Sequence, residues 1–128
     1  MKVLSAARVR AFFLFALILM YAVTSAAPSQ AAGALAIGKC AAYGQAFDYP
    51  TEAAARAAAG KKCNGKCTVV TMKRACVALS VDMTNPCGAH GYAVAPRISS
   101  ALNSAMRKCY AFGGKECVIR AWACDARG

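Results

Sequence analysis

The residues of this chain that could do chemistry are few: eight cysteines, one histidine and five carboxylates. Three of the cysteines fall in "CNGKCTVVTMKRAC" (63 to 76) and three more in "CYAFGGKECVIRAWAC" (109 to 124). Cys63-x3-Cys67 with Cys117-x6-Cys124 could offer the four thiolates of a structural zinc site. Zinc ribbons favour short C-x2-C knuckles, however, and thiols outside the cytoplasm oxidise. No C-x-x-C occurs, so the usual thioredoxin-like means of lowering a thiol's pKa is missing. Cys87 and His90 are neighbours in "CGAHGY", but that stretch reads as a turn feeding a strand. A cysteine nucleophile needs its base within hydrogen-bond reach, and nothing else in the sequence shows that arrangement. The acids Asp48, Glu52, Asp82, Glu116 and Asp125 are spread one per segment, unlike the facing pair of a glycosidase. No phosphate-cradling glycine loop is present; Gly113-Gly114 is a turn. No metal or cofactor is expected, and the cysteines read as braces.

That expectation depends on where the protein resides. Lys2, Arg8 and Arg10 precede the apolar run "AFFLFALILMYAV" (11 to 23), and "TSAAPSQAAG" follows. A basic head, a short apolar stretch and small A-x-A-like sites are the order of a secretory signal peptide, here residues 1–32. Cleavage fits after Ala26 or after Ala31. The remaining domain, 33–128, carries thirteen basic against five acidic residues, a net charge of +8. It also holds all eight cysteines in roughly 96 residues, the density of an exported disulfide scaffold. A domain this small buries too little surface to rely on its core alone, so crosslinks supply stability.

The cysteines lie in two similar stretches. "GALAIGKCAAYGQAF" is followed by "PTEAAARAAAGKKC", then "CTVVTM" and "AC"; "VALSVDMTNPCGAHGYAVA" is followed by "PRISSALNSAMRKC", then "CVIRAW" and "AC". Cys40 and Cys87 lie 47 residues apart, as do Gly44 and Gly91; Pro50 and Pro96 lie 46 apart, as do Cys63 and Cys109. The chain thus reads as a duplication, with repeats at about 33–76 and 77–124. Equivalence of the copies indicates the pairing: Cys63–Cys67 and Cys109–Cys117 tie each helix exit to the next strand. Cys76–Cys124 and Cys40–Cys87 would then join the copies near a pseudo-twofold axis.

Each copy reads as strand, strand, helix, strand. "VALSVDM" alternates, with Val77, Leu79, Val81 and Met83 on one side, the period of a half-buried strand. "CTVVTM" and "CVIRAW" are rich in β-branched and aromatic residues. Ile98, Leu102, Ala105, Met106 and Cys109 share one face of a helix near 97 to 109. A first helix near 51 to 62 is mostly alanine, so it must sit close to what it covers. Thr51 fits its N-cap and Glu52 its first turn, while Gly60 and Gly113-Gly114 mark the helix exits. The fold expected is α+β: a duplicated β-β-α-β unit forming an antiparallel sheet with two helices on one face, braced by disulfides.

The pattern "GALAIG … YG … A-A-A … C … C-x-V-V … AC-x-A-L", repeated and closed by "CVIRAWAC", resembles a family of small exported bacterial domains of unknown function. These are alanine-rich, carry paired cysteines and end in a tryptophan–cysteine strand. The resemblance spans about residues 33 to 125. It implies an exported location and a duplicated fold, and no activity. Cys40 and Cys87 are additions to that pattern.

The cations have two readings. Lys61-Lys62 and Arg107-Lys108 complement the helix dipoles at the two exits. Alternatively, Lys61, Lys62, Lys66, Arg107, Lys108 and Lys115 gather through the pseudo-symmetry into one patch for an anionic ligand. Trp122 lies in a strand with Arg120 on the same side and is either a core anchor or an exposed stacking residue. A core anchor is expected, since large aromatics dominate burial in small domains. The function expected is a non-enzymatic binding or protective module, periplasmic or extracellular. Its partner would be an anionic cell-wall polymer, an acidic protein or a membrane surface, and not nucleic acid, given export. The contrasting possibility is a small cell-envelope hydrolase or thiol redox protein, which a free thiol or a carboxylate pair beside His90 would indicate.

Overall fold

The computed structural model describes residues 32–125. The elements run β1 (Ala32–Ile37), β2 (Tyr43–Tyr49), α1 (Glu52–Lys62), β3 (Thr68–Met72), β4 (Cys76–Asp82), β5 (His90–Ala95), α2 (Ile98–Ala111) and β6 (Cys117–Cys124). The β-β-α-β order therefore occurs twice. The expected signal peptide lies outside the described residues except for Ala32, which opens β1. Among the described residues no helix is long and apolar enough to cross a membrane.

The strands are antiparallel and the class is α+β, but they divide into two three-stranded sheets, ordered β2-β1-β3 and β5-β4-β6. One sheet with both helices on one face would leave a row of large apolar side chains in water. In β1, Leu35 and Ile37 point away from the helix, and in β4 so do Val77, Leu79 and Val81; these meet, with Met72, Ala121 and Ala123, between the sheets. Both faces of the central strands are covered, and every residue of β4 is buried rather than every second one. Each sheet carries its own helix on its outer face, giving four layers: α1, sheet, sheet, α2.

The helix–sheet layers explain the alanine content. Ala34, Ala36 and Ala46 meet Ala55 and Ala59 of α1; Ala78 and Ala93 meet Ala101 and Ala105 of α2. Small side chains on both surfaces let backbone approach backbone. Gly44 and Gly91 mark the closest points. A Cβ on Gly44 would stand 2.8 Å from the Cys63 amide nitrogen, and one on Gly91 2.5 Å from that of Cys109. Only glycine fits either position.

Local signals mostly hold. The Thr51 hydroxyl accepts the Ala54 N–H at 3.1 Å, capping α1, whereas α2 starts at Arg97 with no side-chain cap. Gly113, at φ +92°, turns the chain out of α2. Gly60 does not serve α1 in that way: it lies inside the helix, and the left-handed residue of the exit loop is Gly65, φ +86°. The connection between the copies, residues 73 to 75, is fixed by Asp125. Its carboxylate accepts the backbone N–H groups of Arg74 and Ala75, and its own N–H donates to the Ala75 carbonyl at 3.0 Å. Arg74 there adopts φ +50°, so a buried acid at the end of the second copy holds the turn that begins it.

Candidate functional site

Four disulfides are present: Cys40–Cys87, Cys63–Cys67, Cys76–Cys124 and Cys109–Cys117. The short pairs close each helix exit onto the strand that follows. Cys40 and Cys87 join the β1–β2 turn to the equivalent β4–β5 turn, linking the two copies. Cys76–Cys124 does not link them. Cys76 is the first residue of β4 and lies opposite Cys124 in the β4–β6 ladder, so this bridge staples two strands of one sheet. The second copy thus begins at Cys76.

No free cysteine remains, so Cys87 offers no thiol to His90. The His90 ring is exposed, with Nδ1 3.3 Å from the Gly88 carbonyl oxygen. Among the described residues no three histidine, cysteine or acidic side chains gather as a metal site. The buried carboxylates are structural. Asp82, 4 % exposed, accepts from the Thr84 hydroxyl at 2.8 Å, the Thr84 N–H at 3.0 Å, and the N–H groups of Lys115 and Glu116 at 3.3 and 3.1 Å. Burial pushes its pKa up, but these donors outweigh burial and hold the carboxyl below its ordinary value.

The six cations fall into two groups. Lys61, Lys62 and Lys66 lie at the exit of α1; Arg107, Lys108 and Lys115 lie at the exit of α2. The helices are on opposite outer faces, with two sheets about 10 Å apart between them. What the fold gives is two groups of three at one end of the molecule, the end where Cys40–Cys87 joins the turns. The copies repeat a detail there. Lys62 Nζ donates to the Gln45 carbonyl and Lys108 Nζ to the Tyr92 carbonyl, each at 2.9 Å. Lys108 also stands 5.8 Å from the Tyr92 ring centroid. One lysine of each exit is thereby tied to the neighbouring edge strand, while Lys61, Lys66, Arg107 and Lys115 are exposed beside it.

Trp122 is not a core anchor: it is 55 % exposed. The interior positions of β6 are taken by Ala121 and Ala123, because the space between the sheets is filled by Leu35, Leu79 and their neighbours. Trp122 instead lines a groove of about 480 Å³ with Arg120 of β6 and with Tyr43, Gln45 and Phe47 of β2. The Arg120 guanidinium lies 5.3 Å from the Tyr43 ring centroid. Sequence reasoning paired Arg120 with Trp122 but missed the β2 wall. The signal was there in "YGQAFDY", where Tyr43, Gln45 and Phe47 alternate with the small Gly44 and Ala46 that the helix requires.

Comparison with known proteins agrees with these boundaries. Protein Rv1269c and Protein MT1307 of Mycobacterium tuberculosis, and Protein Mb1300c of Mycobacterium bovis, are each 36% identical to this chain over 94 residues. That stretch covers 73% of this chain and 68% of each relative, and the names assign no activity. No solved structure matches the chain. The family model described as "Domain of unknown function (DUF4189)" matches residues 32–124, from the first residue of β1 to the last of β6, and the chain belongs to that family.

Proposed function

We propose that the protein is an exported, non-enzymatic binding module that contacts an anionic partner of the cell envelope or beyond through its basic end. The observation that carries this is the repeated helix exit. Each exit presents two exposed cations beside a helix-end lysine tied to a neutral carbonyl, and the two exits share the end braced by Cys40–Cys87. Four disulfides in so small a domain support an oxidising compartment. A cysteine nucleophile would need a free thiol, and all eight cysteines are paired. An anionic cell-wall polymer or an acidic protein would each meet this charge.

The test is retention on matrices bearing poly(glycerol phosphate) or poly-glutamate, eluted with salt. Exposed charges are screened beyond about 8–10 Å at physiological ionic strength, so retention should fall steeply as salt rises. Replacing Lys61, Lys66, Arg107 and Lys115 with glutamine should abolish retention. Replacing Arg56, Lys73, Arg74 and Arg97, which lie away from the exits, should reduce it only slightly. Equal loss in both quadruple variants would assign the effect to net charge and remove the site.

A further inference from the structure

The groove between β2 and β6 is made of different residues from the helix exits, and what it binds does not rest on them. Phe47 and Trp122 each hold about half of their surface in water, at 52% and 55% exposed. Large exposed rings on the walls of one groove mark a contact surface rather than a core. Its volume is within the roughly 300–1,000 Å³ of ordinary ligand pockets. The fold does not require the groove. At the 47-residue offset, Tyr43, Gln45 and Phe47 correspond to His90, Tyr92 and Val94, and β3, the first-copy equivalent of β6, carries neither arginine nor tryptophan. A demand of folding would appear in both copies; this feature appears in one.

We infer that the groove binds an acidic oligosaccharide, with Phe47 and Trp122 stacking on sugar rings and Arg120 taking a carboxylate. Cation–π attraction to the Tyr43 ring, 5.3 Å away, helps hold the Arg120 guanidinium in place. Its N–H fork matches a carboxylate with two parallel hydrogen bonds. The Gln45 amide supplies both a donor and acceptors for hydroxyl groups. No acidic side chain lines the groove, so its charge is complementary to an anion. A single-stranded nucleic acid would also stack, but it needs cations spaced along a phosphate track; one guanidinium lines this groove.

The chain has one tryptophan, so its fluorescence reports on this groove alone. The oxidised protein is titrated with a short oligogalacturonate, with a neutral chitin oligosaccharide of equal length and with a single-stranded oligonucleotide. The oligogalacturonate should shift Trp122 emission to the blue with saturation. Arg120→Gln should weaken it about tenfold or more, as loss of a charge-assisted hydrogen bond implies. Phe47→Ala should weaken it as well, while Lys61→Gln should leave it unchanged. Intact mass and circular dichroism of each variant establish that the bridges and fold persist. The inference is overturned by no saturable shift, by equal binding of the neutral sugar, by preference for the oligonucleotide, or by an Arg120→Gln variant that binds as the parent does.

Discussion

Gly91 lies directly beneath Cys109, so close that a Cβ would stand 2.5 Å from that residue's amide nitrogen. Gly44 stands in the same relation to Cys63 in the first copy. Gly44→Ala and Gly91→Ala should each destabilise the oxidised domain by about 1–3 kcal/mol, because backbone rather than a flexible side chain must move. Gly60, with nothing within 4 Å of its Cβ position and an ordinary φ inside α1, is the contrast. Gly60→Ala should stabilise by about 0.5–1 kcal/mol through helix propensity. Urea unfolding midpoints separate the three variants.

These glycines show how far the sequence could be read. The 47-residue offset located them, and the alanine of α1 implied a close approach. The helices, the six strands and the cysteine pattern are local or periodic features, so they were legible. The division into two sheets was not, because alternation in β4 shows which residues share a face but not what covers each face. Trp122 went wrong for a related reason: propensity to be buried says nothing about whether the interior is already full. The groove joins β2 to β6 across the whole chain, a juxtaposition that no local pattern encodes.

The disulfides should not be equivalent. Cys40–Cys87 and Cys76–Cys124 span 47 and 48 residues, whereas Cys63–Cys67 and Cys109–Cys117 span 4 and 8. If each acts by restricting the unfolded chain, removing a long bridge costs about 4 kcal/mol and the shortest about 2 kcal/mol. Paired Cys→Ala variants, unfolded by heat or urea, should rank in that order. A larger loss for Cys63–Cys67 than for Cys40–Cys87 would show that native packing around the sulfurs outweighs loop entropy.

Acid should weaken the fold through Asp82. Its carboxyl is held below the ordinary value of about 3.9, so the ionised form is the one the native state favours. The stabilisation is fully present above the unfolded pKa and is lost as pH falls through the lower folded one. Stability measured from pH 6 to pH 2 should therefore decline below about pH 4. Asp82→Asn should be less stable than the parent at pH 6 and show a shallower decline. Parallel curves for the two would mean that other carboxylates carry the acid response.

Asp125 should matter out of proportion to its place near the end of β6. It accepts the N–H groups of Arg74 and Ala75, which no strand satisfies. Asp125→Ala leaves those donors without their partner and frees the turn between the copies. A loss of about 1–3 kcal/mol is expected, the cost of unsatisfied buried donors. Hydrogen exchange at Arg74 and Ala75 should accelerate first, ahead of the β4 core.

The four specific disulfides are the central feature of the fold. Intact-mass analysis of the native protein after alkylation under denaturing conditions, followed by a non-reducing peptide map, tests that pairing most directly. The expected result is no alkylated thiol and linked peptides joining Cys40 to Cys87, Cys63 to Cys67, Cys76 to Cys124 and Cys109 to Cys117. Alkylatable thiols in the native protein, bound zinc released by a chelator, or a different set of linked peptides would contradict it.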